Sequence, residues 1–343
     1  MTRPGKRNLI TDVAGLRVGQ AEDPAARTGV TVVLADQAFA AAVDVRGGAP
    51  GTIGTEALDP VNLVGTVDAI TLSGGSSYGL EAAADVTAWL GVRGRGFRFA
   101  ADLPPAPIVP GAIIFDLANG GDKNWGETPP YRALALQAIE RAGDVFTLGN
   151  SGAGLGATAG TYKGGTGSAS AVTDNGVTIG AIAIVNSVGS PVIPYTDVFW
   201  AFPFEQAGEF GGKRLPPDFK PVDAALPPDM KSPARAAANT TIAVVATDAD
   251  LTRVELKRLA MMATDGFARA LRPVHTPFDG DTVFVVATAK RALAEPRAYT
   301  LMQIGNAAAD CLARAIARGV YEAATLGELS SYRDLCAKGK KAK

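Results

Sequence analysis

Residues 203–238 carry seven prolines (Pro203, Pro216, Pro217, Pro221, Pro227, Pro228 and Pro233) among Glu, Lys and Asp, and show no apolar period. The stretch ends abruptly at Ala236-Ala-Ala-Asn239. Thr240-Thr-Ile-Ala-Val-Val-Ala-Thr247, apolar and β-branched, begins at the next residue. Proline has no amide proton and a fixed φ, so the first segment reads as a long surface connection. The second suits a strand buried on both faces. A connection of that length inside a compact protein is functional or disordered. Its junction with a rigid strand is therefore the point around which the chain must be read.

Upstream, short apolar runs alternate with Gly-rich turns. Val30–Leu34, Phe39–Val45 and Ala69–Leu72 read as strands, the last running into Ser73-Gly-Gly-Ser-Ser77 before an expected helix, Tyr78–Leu90. Ile108–Leu117 reads as a strand and Pro130–Ala142 as a helix. Gly167–Thr173 and Val177–Val185 read as a hairpin closed by Asp174-Asn-Gly176. Downstream of the junction, Leu251–Ala270 has helical amphipathicity, Thr282–Thr288 is a strand and Tyr299–Ala317 a long helix. No internal repeat of fixed period is visible. The expectation is one α/β domain over residues 1–343.

Several function classes are excluded early. A net charge of -1 provides no field for nucleic acid or an anionic membrane. The basic run Lys338–Lys343 reads as a solvated terminus. No stretch reaches the roughly 18 apolar residues of a spanning helix. The N-terminal residues lack the apolar core of a secretory signal. With Cys311 and Cys336 the only cysteines, neither a four-thiolate metal site nor a disulfide framework is expected. These features predict a cytoplasmic enzyme with no metal and no cofactor. The single histidine, His275, rules out a His-rich zinc site and restricts any Ser-His-Asp triad to itself.

A threonine hydroxyl needs a base, and one recurring base is the residue's own α-amine. That amine titrates at about 7.7–8.0, against about 10.4 for lysine. A chain with one histidine could obtain such a nucleophile by cutting itself between Asn239 and Thr240. The Thr240 hydroxyl would attack the Asn239 carbonyl, and water would open the resulting ester. Read from these residues alone, Asn239 also serves as an ordinary loop end and Thr240-Thr241 as ordinary strand residues.

Longer motifs favour the chemical reading. They are Ile10-Thr-Asp-Val-Ala-Gly-Leu-Arg-Val-Gly19, Val43-Asp-Val-Arg-Gly-Gly-Ala-Pro-Gly-Thr52 and Leu72-Ser-Gly-Gly-Ser-Ser-Tyr-Gly-Leu80. Pro107-Ile-Val-Pro110 with Phe115-Asp-Leu117, and Lys163-Gly-Gly-Thr-Gly-Ser-Ala-Ser170, follow. Asn239–Thr247, Gly266-Phe-Ala-Arg-Ala270 and Pro273-Val-His-Thr-Pro-Phe-Asp-Gly-Asp-Thr282 complete the set. Together they span nearly the whole chain and closely resemble the DmpA family. This family comprises self-processing L-aminopeptidase/D-esterases, β-peptidyl aminopeptidases and nylon-oligomer hydrolases.

The resemblance implies an α-β-β-α four-layer sandwich like that of N-terminal nucleophile hydrolases. It implies cleavage into 1–239 (α) and 240–343 (β), assembly as a homotetramer of αβ units, and amide or short-peptide substrates with a free amino end. It places Lys163, Asn186, Asp279 and Asp281 beside Thr240. A carboxylate there would orient the amine and favour its charged form, and a cation would do the reverse. The Asn186 side-chain N–H could stabilise an oxyanion. Asp116 and Asn119 would receive the substrate's ammonium, and His275 would be structural.

Two rival motifs remain in the sequence. Gly75-Ser-Ser-Tyr-Gly79 fits the G-x-S-x-G nucleophile elbow, with Ser77 as nucleophile and His275 as base of an α/β-hydrolase-type esterase. Gly152-Ala-Gly-Leu-Gly-Ala157, with Asp174 downstream, resembles a dinucleotide fingerprint, although Asp174 sits in the expected hairpin turn. A non-enzymatic, uncut scaffold is the third alternative.

Overall fold

The computed structural model describes residues 2–220, 226–232 and 239–339; Ala236–Ala238 and the end of the basic tail lie outside them. In chain order the elements are β1 (Leu16–Asp23), β2 (Thr28–Val45), β3 (Thr52–Ile53), β4 (Thr66–Ser73), α1 (Ala82–Val92), β5 (Gly111–Ile113) and α2 (Tyr131–Glu140). They continue with β6 (Thr158–Ala159), β7 (Tyr162–Lys163), β8 (Thr166–Val172), β9 (Thr178–Asn186), β10 (Thr240–Ala249), α3 (Arg253–Ala263), α4 (Asp265–Ala268), β11 (Thr282–Arg291), α5 (Arg297–Tyr321) and α6 (Tyr332–Ala337).

The large sheet runs β3-β5-β4-β2-β11-β10-β9-β8, with β1 also paired to β2. The two strands expected at 30–45 are one long strand. Its register shifts between Leu34 and Phe39, where Asp36-Gln37-Ala38 is exposed. Before the shift β2 lies between β1 and β4; after it, β2 pairs with β11.

Side-chain alternation turns this bent sheet into layers. Ile242, Val244 and Ala246 of β10 join Ile182, Ile184, Phe284, Val33, Ile70 and Leu72 in a central core between strands. The alternate residues Ala243 and Val245 join Leu256 and Leu259 of α3 and Ile304 and Leu312 of α5. On the far side Val30, Val32 and Ala69 meet Val86 and Leu90 of α1 and Leu134 and Ile139 of α2. Three cores separate four layers, α-β-β-α. Each buried Val, Leu, Ile or Phe among them contributes about 1.5–3 kcal/mol, and every residue of β10 is buried.

Local chemistry explains where boundaries differ from expectation. The helix expected at 251–270 starts on a Thr252/Glu255 capping box. It then breaks at Thr264, whose hydroxyl bonds Ala260 O at 3.0 Å and Asp44 at 2.8 Å. The expected strand 108–117 shrinks to β5, because Pro107 and Pro110 supply no amide donors. The expected helix 78–90 opens as a 3-10 turn, Ser76–Glu81, before α1. The hairpin β8–β9 forms as expected through 173–177, with Gly176 at φ 80°.

Candidate active site

The site is built where β10 begins. Thr240 pairs with Asn186 across the antiparallel β9–β10 ladder. Pairing extends one residue upstream: Asn239 bridges to Asp279, its N–H donating to Phe278 O at 3.1 Å. Its carbonyl oxygen accepts the Gly280 N–H at 2.8 Å. The Thr240 hydroxyl donates to that same oxygen. Two donors thus polarise the one carbonyl that joins Asn239 to Thr240.

The loop carrying Gly280 is held from behind. Arg46 N–H donates to Asp281 O at 3.0 Å, Gly48 N–H to Thr276 O at 3.1 Å and Ala49 N–H to Asp279 O at 2.8 Å. A Cβ on Gly47 would lie 2.2 Å from Asp279 O, and one on Gly280 would lie 2.7 Å from both Thr240 Oγ1 and Ala49 O. Close backbone approach is what these two glycines permit.

Asp281 accepts the Thr241 N–H at 2.8 Å on one oxygen. Its other oxygen accepts the His275 N–H at 3.1 Å and faces His275 Nδ1 at 2.9 Å. A carboxylate only accepts, so Nδ1 carries the proton. Asp279 accepts from Val188 N–H at 3.1 Å and from the Thr276 N–H and hydroxyl at 3.1 and 2.6 Å. Burial, and then the Asp281 charge, push the Asp279 carboxyl above the usual range.

Lys163 is fully buried, and its amine donates to three backbone carbonyls: Gly154 O and Ala157 O at 3.0 Å and Gly164 O at 2.6 Å. Burial pushes it down to about 7, while three acceptors use all three N–H bonds of the charged form. None of these partners is Thr240; Lys163 reaches Thr240 only indirectly. It pairs with Thr158, whose N–H donates to Asn186 Oδ1 at 2.9 Å. The Asn186 side-chain N–H, expected to face an oxyanion, donates to Phe115 O at 3.1 Å. Among the described residues a cation that touches the junction is Lys231, which bonds the Asn239 side chain and lies 3.4 Å from both Asn186 oxygens.

A cavity of about 710 Å³ opens beside the junction, lined by Arg27, Asp116, Asn119, Lys231, Asn239 and Glu328 among others. Asp116 is buried and accepts from the Thr28 hydroxyl at 2.6 Å and the Gly75 N–H at 2.7 Å. Burial raises its carboxyl above the usual range, against those bonds and the Lys123 charge. Asn119 donates to Arg27 O at 2.6 Å and accepts from Lys123 at 3.1 Å.

Among the described residues no hydrogen bond joins Ser77 to His275: the ring pairs with Asp281, while Ser77 is exposed in the 3-10 turn before α1. Gly152–Gly154 leads into β6, not into a helix whose N-terminus could hold a phosphate. The glycines of that segment serve packing: a Cβ on Gly154 would lie 2.2 Å from Thr166 N, and one on Gly156 would lie 2.5 Å from Asp116.

Gly280 and Lys231 were missed in the sequence. Gly280 stands between two residues chosen for their carboxylates, and its backbone amide has no side-chain signature. Lys231 is one charge in a proline-rich stretch, and no spacing marks it.

Comparison with known proteins gives the family and the fold. Residues 8–332 match peptidase family S58. An uncharacterized aminopeptidase of Mycobacterium tuberculosis (strain H37Rv) is 44% identical over 96% of this chain and 98% of its own length. A 6-aminohexanoate-oligomer endohydrolase of Kocuria sp. is 32% identical over 83% of this chain and 76% of its own. Among solved structures, a Burkholderia sp. β-aminopeptidase superposes with a TM-score of 0.69 at 22% identity, over 94% of this chain and 89% of that one. The L-aminopeptidase D-Ala-esterase/amidase of Ochrobactrum anthropi, described as a variant of the Ntn hydrolase fold, gives 0.68 at 22% identity over 99% and 96%. The chain belongs to peptidase family S58, the DmpA family, and is a hydrolase of peptide or amide bonds.

Proposed function

We propose that this chain is a self-processing N-terminal threonine amidohydrolase that cuts itself between Asn239 and Thr240. The observation that carries this reading is the pair of hydrogen bonds on Asn239 O, one from the Thr240 hydroxyl and one from Gly280 N–H. In the cut, Thr240 Oγ1 bonds to the Asn239 carbonyl carbon and the peptide nitrogen leaves as the Thr240 α-amine, taking the hydroxyl proton. Negative charge on the carbonyl oxygen is met by the Gly280 N–H, a donor already in place. Water then hydrolyses the ester, leaving an Asn239 carboxylate.

In turnover, the freed α-amine removes the Thr240 hydroxyl proton and the oxygen attacks a substrate amide. The substrate oxygen takes the place vacated by Asn239 O. The amine product departs with a proton, and water releases the acid from the Thr240 ester. Asp281 sits one residue from that amine through Thr241 N–H, and the nearby carboxylates favour its ammonium form. Asp116 and Glu328 in the adjoining cavity suit a substrate with a free amino end, in keeping with the aminopeptidase and aminohexanoate-oligomer names of the relatives.

The strand order supports the two fragments staying together. Strands β10 and β11 of 240–343 lie between β9 and β2 of 1–239. Intact-mass spectrometry of wild type and Thr240→Ala tests the proposal. Two fragments from wild type and one chain from the variant are expected. A wild type that hydrolyses amides as one uncut chain overturns it.

A further inference from the structure

Asp229 and Lys231, in the described stretch 226–232 upstream of the junction, are docked on the core. Asp229 O accepts the Thr161 N–H at 2.9 Å, its carboxylate takes the Ser190 hydroxyl, and Lys231 N–H donates to Val188 O at 2.9 Å. This docking buries the Lys231 side chain and aims it at two amides. One is the side chain of Asn239, the residue whose carbonyl Thr240 would attack. The other is Asn186, which faces Thr240 across the ladder, with both its oxygens 3.4 Å from Nζ. Each of these three atoms is an oxygen, an acceptor for an N–H of the charged amine.

An asparagine at this position has a second way to break the same bond. Its own Nδ2 can attack its own carbonyl carbon and expel the Thr240 nitrogen as an amine. That reaction leaves a five-membered succinimide on the upstream fragment and consumes no water. The hydroxyl route consumes one water and leaves a carboxylate. A cation bound to Oδ1 draws electron density from Nδ2 and fixes the rotamer of the side chain. The nitrogen is then both a poorer nucleophile and held in place.

We propose that Lys231 is a positioning residue for self-cleavage: it holds the Asn239 side chain so that the Thr240 hydroxyl, and not the Asn239 carboxamide, breaks the bond. This inference rests on the self-cleavage reading above. Lys231 lies in the upstream fragment, so the proposal assigns to the connecting segment itself a part in its own release.

The test is a time course of intact masses for wild type, Lys231→Met and Lys231→Arg, with thermal unfolding to identify the folded chains. Lys231→Met is expected to cleave about tenfold or more slowly, with part of its upstream fragment one water lighter than wild type. Lys231→Arg is expected to restore most of the rate. In an Asn239→Ala background, Lys231→Met is expected to cause no additional slowing, since the side chain it positions is gone while its contacts with Asn186 remain. A folded Lys231→Met that cleaves as fast as wild type, with every fragment at the hydrolysed mass, overturns the proposal. So does slowing of equal size with and without the Asn239 side chain. A wild type that never cleaves overturns the self-cleavage reading itself, which separates that failure from this one.

Discussion

Gly280 N–H donates to the carbonyl oxygen of Asn239 at 2.8 Å. Through that bond the Asp279-Gly-Asp281 loop joins the ladder of β10, the strand that begins at Thr240, and the Asn239 carbonyl is polarised. The first prediction concerns this donor.

Gly280→Ala should block cleavage while leaving a folded chain of reduced stability. The added Cβ would lie 2.7 Å from Thr240 Oγ1 and from Ala49 O, so the loop must retreat and take its amide with it. Overpacking of this kind costs about 1–3 kcal/mol, and losing an oxyanion donor slows reaction by about 10²–10³-fold. Mass spectrometry far below the variant's Tm separates the two effects. Wild-type cleavage kinetics would remove Gly280 from the mechanism.

Thr240→Ala and Thr240→Ser form a pair. The alanine variant should remain one chain and lose amide hydrolysis by on the order of 10³-fold or more. The serine variant keeps a hydroxyl and an α-amine and should still cut. Amide turnover by Thr240→Ala near wild-type rate would place the nucleophile elsewhere.

His275→Ala should lower kcat/KM by about 10- to 100-fold, because the ring contacts Asp281 and Phe267 rather than Thr240. Ser77→Ala, at an exposed position, should match wild type. Losses on the order of 10⁴-fold in both would restore the Ser77–His275 esterase reading.

Lys163→Met should act on stability before chemistry. It removes one donor from each of three buried carbonyls; Gly154 O and Ala157 O keep the Ala157 and Gly164 N–H groups, while Gly164 O is left unpaired, at about 1–3 kcal/mol. A large fall in denaturation midpoint is expected, with cleavage persisting in the folded fraction. Unchanged stability with abolished cleavage would instead mark Lys163 as a direct participant.

Burial lifts the Asp116 carboxyl above its ordinary value of 3.8, so the folded chain holds that proton more tightly than the unfolded one. The stability this brings is complete below the ordinary value and is lost as pH climbs through the folded one. Asp116→Asn keeps an acceptor for the Gly75 N–H and cannot ionise. Its Tm should therefore gain on wild type as pH rises from about 3.8 toward neutrality. A difference that stays flat with pH would show that Asp116 is not desolvated.

Residue order alone determined much of this protein. The β-branched run at 240–247, the Asp174-Asn-Gly176 turn and the amphipathic stretches that became α3 and α5 depend on neighbours a few positions apart, and all appear close to where they were expected. The motifs around Thr240, Asp279 and Asp281 were equally visible, since each is a contiguous string. Tertiary structure alone decided the bend of β2, the partners of Lys163 and the part played by Gly280 and Lys231. Those depend on which backbone amide or side chain arrives from elsewhere in the chain. Gly280 lies far along the chain from Asn239 and meets it only because β11 pairs parallel with β10. The family resemblance pointed to Lys163 as a cation near Thr240; burial and the strand order instead enclose Lys163 among carbonyls and bring Lys231 to the Asn239 side chain.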